Sequence, residues 1–316
     1  MPFGAVLIKV WSKFGRGFAN AQYFANVQYS VSRYTMPLLA STISEIAGYL
    51  NRAFTDYIIP FHFTPTGAAT LLLQEGVDWT ASRLLFDKEQ FLALGLIARR
   101  GHTSRMVALG VDPAARRQGV GRDLVRRLLF DARQRGESKM WLEVISQNNA
   151  AVTLYQSSGF TIQQELWGFT GSQLEQYTAA PRQLELTRPR ISLQAVDPFD
   201  VAKAITHHAP NDLPWQLSGS HLMHTPLGHE AWRCDSAAAI ISDPEQDAIA
   251  ICGLYTEPHA QRQGHAKRLL TRLFHAFPGK TWKVSIVVPA HLAGLFQPLG
   301  MQRETLQQFQ MIKYLR

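Results

Sequence analysis

Arg116-Arg117-Gln118-Gly119-Val120-Gly121 lies between a strand-like run, MVALGVDP (106–113), and a segment with helical periodicity. At such a helix start the first backbone amides lack intrahelical partners and the helix dipole is positive. Glycines at 119 and 121 let the backbone approach a ligand and take dihedrals that other residues avoid. Together these features make an anion site suited to a pyrophosphate. The loop has neither the Gly-Lys-Ser/Thr of a Walker loop nor the Gly-x-Gly-x-x-Gly of a dinucleotide fingerprint. Taken alone, two glycines describe an ordinary strand–helix turn as well as a ligand site. Downstream, Glu143 sits in the apolar strand Trp141-Leu142-Glu143-Val144-Ile145 and by alternation shares a face with Trp141 and Ile145. A carboxylate there is either solvated on an open face or held in a cleft with a raised pKa, and the second environment suits a general base. Tyr155, on a helix that begins near Asn148, is either a half-buried packing aromatic or a proton donor.

The elements that must position these residues occur twice. RRQGVGRDL (116–124) is echoed by QRQGHAKRL (261–269). After each loop the apolar residues follow one helical face: Leu124, Val125, Leu128, Leu129 and Ala132, then Leu269, Leu270, Leu273, Phe274 and Phe277. Trp141 and Gly159 are as far apart as Trp282 and Gly300, with LYQSSGF (154–160) lying over LFQPLGM (295–301). Strand-like runs precede both loops, MVALGVDP and AIAICGLYTEP (248–258). SRLLFD and FLALGLIARR read as paired strands about a turn at Lys88–Gln90, and SEIAGYLNRAF (44–54) reads as a helix. The expected fold class is α+β, with two tandem domains, each a mixed, mostly antiparallel sheet flanked by helices. The expected boundaries are a basic leader at 1–35, a first domain at 36–188 and a second at 189–316, joined near TRPR (187–190).

The segment from about Ser44 to Leu186 resembles a GCN5-related N-acetyltransferase (GNAT) domain. That family's loop reads Gln/Arg-x-x-Gly-x-Gly/Ala, which Arg116 to Gly121 satisfies, and LEVISQNNAAVTLYQSSGF (142–160) matches its downstream signature. The resemblance implies acetyl-CoA as co-substrate, with no metal. Val111 would end the strand along the pantetheine, and Arg117, Gln118, Gly119, Val120 and Gly121 would supply amides to the pyrophosphate. Arg116 and Arg122 would add charge near the phosphates. Acetyl transfer needs a neutral amine, a stabilised oxyanion and a proton for the departing thiolate. Tyr155 would be the acid and Glu143 the base, acting through water. Their spacing is similar to that of ribosomal-protein N-terminal acetyltransferases. Asn148 would hydrogen-bond the pantetheine or a bridging water, or simply cap its helix. Asp78 and Trp79 either line the acceptor side or belong to a surface connection. In the second copy Val284 stands opposite Glu143, Pro289 opposite Asn148 and Phe296 opposite Tyr155. The chemistry is therefore expected in the first domain, with the second shaping the acceptor cleft.

Bulk properties narrow the partners. At 316 residues and 46% hydrophobic, the chain can bury two ordinary cores. The net charge of +8 suits nucleic acid or a phosphate-rich small ligand. No aromatic-plus-basic RNA motif or helix-turn-helix signature appears, so no nucleic-acid partner is expected. No window is apolar enough to span a membrane. Cys234 and Cys252 have no metal or redox spacing, and the scattered histidines lack ligand company, which points to a cytoplasmic protein without a metal site. The first acidic residue is Glu45, so the leader is basic and acid-free. It reads as a transit peptide, an unstructured leader, or a misplaced start with Met36 as first residue. The expected function is acetyl transfer from acetyl-CoA to a primary amine, of a small molecule or a peptide N-terminus. The alternative is a non-catalytic acyl-CoA-binding regulatory protein. The assembly is expected to be a monomer with a pseudo-dimeric domain pair, or a homodimer.

Overall fold

The structure, a computed structural model, describes residues 33–176, 192–210, 213–224 and 226–315. β1 (Arg33–Pro37) pairs antiparallel with β2 (Arg83–Asp87). α1 (Ile43–Ala53) starts at a capping box: Thr42 Oγ1 accepts from the Glu45 amide at 3.3 Å, and Glu45 accepts from the Thr42 amide at 2.7 Å. α2 (Pro65–Gln74) follows, with proline where a missing N–H costs nothing. β3 (Gln90–Arg100) and β4 (Thr103–Val111) complete an antiparallel meander. α3 (Val120–Gln134), β5 (Lys139–Ile145), α4 (Asn149–Ser157) and β6 (Thr161–Ser172) end the first unit. The apolar stripe of α3, Leu124 to Ala132, is buried as its period requires. Helix and sheet meet at Gly95, where a Cβ would stand 2.6 Å from Leu128 Cδ1.

The second unit repeats the plan: β7 (Gln194–Val196), α5 (Pro198–His208), α6 (Gly219–Leu222), β8 (Glu230–Cys234), β9 (Ala237–Ile241), β10 (Ala248–Thr256), α7 (His265–Ala276), β11 (Thr281–Pro289) and β12 (Gln302–Tyr314). Where the first unit has α4, the second has two 3-10 segments, Ala290–Leu295 and Gln297–Leu299. Pro289 and Pro298 remove backbone donors there.

Among the described residues the twelve strands form one sheet in the order β1-β2-β3-β4-β5-β12-β6-β11-β10-β9-β8-β7. The units exchange their last strands. β12 pairs antiparallel with β5, Tyr314 opposite Lys139 and Gln308 opposite Ile145, while β6 pairs with β11. Their cores are exchanged too. Met311 and Leu315 pack with the α3 stripe, whereas Phe169 and Leu174 pack with Trp282 and Phe274. The boundary expected at 188/189 thus divides the chain but not two closed bodies, because periodicity identifies a strand and not its neighbour. The TRPR segment lies outside the described residues. The leader needs a second correction: Arg33–Pro37 is a paired strand, and Arg33 approaches Asp87 and Asp123 at 3.9 and 3.8 Å. The rest of the leader lies outside the described residues.

The parallel strands of each unit part midway. β4 pairs with β5 only over Thr103–Met106 against Lys139–Leu142, although both strands run on. β10 pairs with β11 only over Ala248–Ala250 against Thr281–Lys283. Each split lies just ahead of the glycine loop that opens a helix, α3 in the first unit and α7 in the second.

Reciprocal exchange makes the units interdependent in stability. A thermal melt followed calorimetrically is expected to show one transition, and removal of residues 302–316 to abolish the fold of both units. Two separable transitions, or a folded first unit after that deletion, would contradict the exchange.

Candidate active site

The loop after β4 begins with a 3-10 turn, Pro113–Ala115, capped by Asp112, whose carboxylate accepts from the Ala114 amide at 3.0 Å. Arg52 pairs with the same carboxylate and anchors the turn to α1. Arg117 (φ 62°) and Gly119 (φ 77°) then take left-handed dihedrals that turn the chain into α3. The first helical bond runs from the Asp123 amide to the Gly119 carbonyl at 3.0 Å, so the amides of Val120, Gly121 and Arg122 precede the ladder. A Cβ on Gly121 would meet Leu154 at 3.3 Å and Val111 at 3.4 Å, so the loop lies close on both α4 and the end of β4.

These parts border one groove of 850 Å³. Val111, Arg116, Arg117, Gly119, Val120, Gly121, Arg122, Asn148 and Tyr155 all line it. Gln118 is absent from its lining, and its side-chain amide donates back to the Ala114 carbonyl at 2.9 Å. Arg116 is a latch more than a free charge. Its guanidinium donates to both carboxylate oxygens of Asp56 at 2.6 Å and to the carbonyls of Val111 and Ala53.

Tyr155 is buried on α4, edge-on to Phe160 at 5.9 Å. Burial, reinforced by the nearby Tyr57, raises its phenol pKa, so the hydroxyl keeps its proton at neutral pH. Asn148 caps α4, its side chain accepting from the Ala151 amide at 3.2 Å. Asn148 lines the groove beside Tyr57, whose pKa is raised by burial.

Glu143 is placed differently. It is the first residue of β5 beyond the split, and its side chain is only 3% exposed. Arg105 Nε donates to its Oε2 at 2.6 Å, and Nη1 of the same guanidinium donates to Glu75 Oε2 at 2.5 Å. Burial works against the charge of Arg105, and Glu143 and Glu75 outweigh it, so its pKa is raised. Glu143 Oε1 is buried and has no hydrogen-bond partner among the described residues. Glu143 is not part of the groove's lining, so the structure brings Asn148, Tyr155 and the loop together and sets Glu143 behind them, at the split.

Several neighbours were not legible as site residues. Tyr57, Asp56 and Phe54 line the groove from the connection after α1. Their signal is the aromatic run AFTDYIIPFHF (53–63), in which Tyr57 stacks on Phe61 at 5.9 Å. Arg105 and Glu75 gave no signal, since their partners lie far away in sequence. Asp78 and Trp79 belong to a structural turn. Asp78 accepts from the Thr80 and Ala81 amides and pairs with Arg99 at 3.0 Å. Despite the burial, these bonds lower its pKa to about 2.

The second unit keeps the loop and loses the side chains. Arg262 (φ 59°) and Gly264 (φ 82°) reproduce the dihedrals of Arg117 and Gly119. A groove of 540 Å³ lies beside them, lined by Val284, Pro289 and Phe296 where the first unit carries Glu143, Asn148 and Tyr155. Phe296 stacks on Phe169 at 4.9 Å.

Residues 74–160 match the model of the acetyltransferase (GNAT) family. Over 52 residues the chain is 46% identical to the ribosomal protein bS18-alanine N-acetyltransferase of Escherichia coli (strain K12), covering 16% of this chain and 35% of that protein. The chain thus spans about a third of that relative's length. The enzyme of the same name from Haemophilus ducreyi is 30% identical over 99 residues, 31% of this chain and 68% of that protein. A tandem GNAT protein from the clavulanic acid biosynthesis pathway shares the fold, with a TM-score of 0.57 at 12% identity, covering 90% of this chain and 99% of that one. With its anion loop, split sheet and 68% coverage of the H. ducreyi enzyme, the chain belongs to the GNAT acetyltransferase family.

Proposed function

We propose that this chain is an acetyl-CoA-dependent N-acetyltransferase that moves an acetyl group directly to a primary amine, with the chemistry in the first unit. The observation that carries this reading is the convergence of the anion loop, the β4/β5 split and the Tyr155 phenol on one groove. The free amides of the α3 start would hold the pyrophosphate. The split frees main-chain groups of β4 for the pantetheine and brings the thioester toward Tyr155. Tyr155, protonated at neutral pH, donates to the thiolate as it leaves. Glu143 would take the amine proton on Oε1 through water, since Arg105 occupies Oε2. The acceptor is a small amine or a peptide N-terminus, approaching a cleft shaped by the second unit. Among the described residues no helix is long and apolar enough to cross a membrane.

The regulatory alternative draws on the retained second loop and its groove. Binding stoichiometry separates the two. Calorimetry is expected to find one acetyl-CoA per chain, lost in Gly121→Glu by roughly 100-fold, or about 2.8 kcal/mol. A second site of similar affinity would favour regulation, and no binding would remove the acetyltransferase reading.

Tyr155→Phe is expected to keep acetyl-CoA affinity and to lower kcat by about 10²–10⁴-fold, the usual worth of a general acid. Unchanged turnover would mean the phenol only packs. Glu143→Ala leaves the buried Arg105 with Glu75 as its remaining carboxylate partner and removes one charge-assisted hydrogen bond, so it is expected to cost about 1.5–3 kcal/mol of stability in a denaturant titration. A loss below about 1 kcal/mol would show the pair to be open to solvent.

A further inference from the structure

Where the two units meet lies a further cavity of 320 Å³. The first unit contributes Gln74 and Glu75 from the end of α2. The second contributes Gln216 and His221 from the segment about α6, and Cys252 and Ser285 from the two sides of the β10/β11 split.

Glu75 ties this cavity to the acetyl-transfer centre. Its carboxylate and that of Glu143 accept from the same Arg105 guanidinium, at 2.5 and 2.6 Å. The cavity wall is therefore one guanidinium away from the point where β4 and β5 part. Polar atoms on the second unit's side are left unused. His221 Nδ1 and Gln216 Oε1 are buried and have no hydrogen-bond partner among the described residues. Buried polar atoms are paired in nearly all native structures, so these two orphans, with His229 Nδ1 as a third on the same cavity, call for a polar occupant. Burial lowers the His221 pKa to about 4, which leaves a neutral imidazole able to donate or accept at pH 7. Arg100, the other cation near His221, is engaged elsewhere: it stacks 3.8 Å over Trp215 and donates to Ser218 Oγ. The volume is at the low end of small-ligand sites, roughly 300–1,000 Å³.

We propose that this inter-unit cavity is the acceptor site and that it takes a small hydroxylated primary amine, the amino group at Glu75 and the hydroxyls at His221 and Gln216. The proposal rests on the acetyltransferase reading above and selects the small molecule over the peptide N-terminus. Glu75 supplies the negative charge that draws in an ammonium group. His221 and Gln216 discriminate, because a ligand without hydroxyls leaves both atoms unpaired.

The test compares acetylation of 3-amino-1,2-propanediol, propylamine and an alanine-starting octapeptide. It uses the full chain, His221→Ala and Ser285→Leu, and measures acetyl-CoA affinity by calorimetry in each. The aminodiol is expected to show a kcat/KM about tenfold above propylamine, the value of one or two hydrogen bonds. His221→Ala is expected to erase that preference. Ser285→Leu, which fills the cavity from an exposed strand position, is expected to raise KM for both amines. Acetyl-CoA affinity is expected to stay constant throughout. A preference that survives His221→Ala, or the octapeptide as the best acceptor, would overturn the proposal. So would turnover of neither amine by a chain that still binds acetyl-CoA, and that result would leave the acetyltransferase reading standing. Failure to bind acetyl-CoA would remove both.

Discussion

The seating of β12 between β5 and β6 is the constraint on which the rest of the molecule depends. Without it, β5 would expose an unpaired edge in the middle of the sheet, next to the point where β4 and β5 part. Unpaired backbone groups in such a place cost more than the bonds they make return. The exchange also fixes the spacing of the two grooves, since both splits belong to one continuous sheet. The second unit is thus part of the first unit's architecture whatever its own chemistry has become.

The two splits differ in what spans them. In the first unit Arg105 reaches from β4 to Glu143 on β5 and fastens the strands just where their ladder ends. Counting back from the loops in register, Arg105 corresponds to Ala250, and Glu143 corresponds to Val284. The second split therefore has a small side chain and an apolar one in place of the ion pair. A buried ion pair is a poor source of net stability, because desolvation offsets most of the attraction. Its presence in one unit only, where the ladder of β4 and β5 ends, fits a role in holding those two strands in a fixed geometry. Positioning of this kind is specific in a way that apolar packing is not.

Much of this was legible in the sequence, for reasons that are local. The helical stripe of Leu124 to Ala132, the paired strands about Lys88 and the glycine loop all rest on periodicity or backbone freedom within a few residues. The repeat identified both units and singled out Phe296, Pro289 and Val284 as departures. The neighbours of β6 and β12 were not legible, because an amphipathic strand satisfies the same pattern on either side of the sheet. For the same reason Glu143 could be assigned to its strand and face, but not to the guanidinium that meets it. Arg105 and Glu75 sit on other elements, and nothing about their surroundings in sequence separates them from ordinary surface charges. Arg116 carried the opposite lesson. It stands in the loop where the motif puts it, while its charge is spent on Asp56 at a connection whose mark in the sequence is a run of aromatics.

The exchanged strand also orders events during synthesis. β5 ends at Ile145, and the strand that completes its pairing starts only at Gln302. A ribosome making this chain will have released the loop, the phenol and the carboxylate long before their sheet can close. Until then the first half offers a nascent edge and an unfinished core that lacks Met311 and Leu315. No finished groove exists during that interval, so whatever the groove binds must wait until Gln302–Tyr314 has emerged and paired.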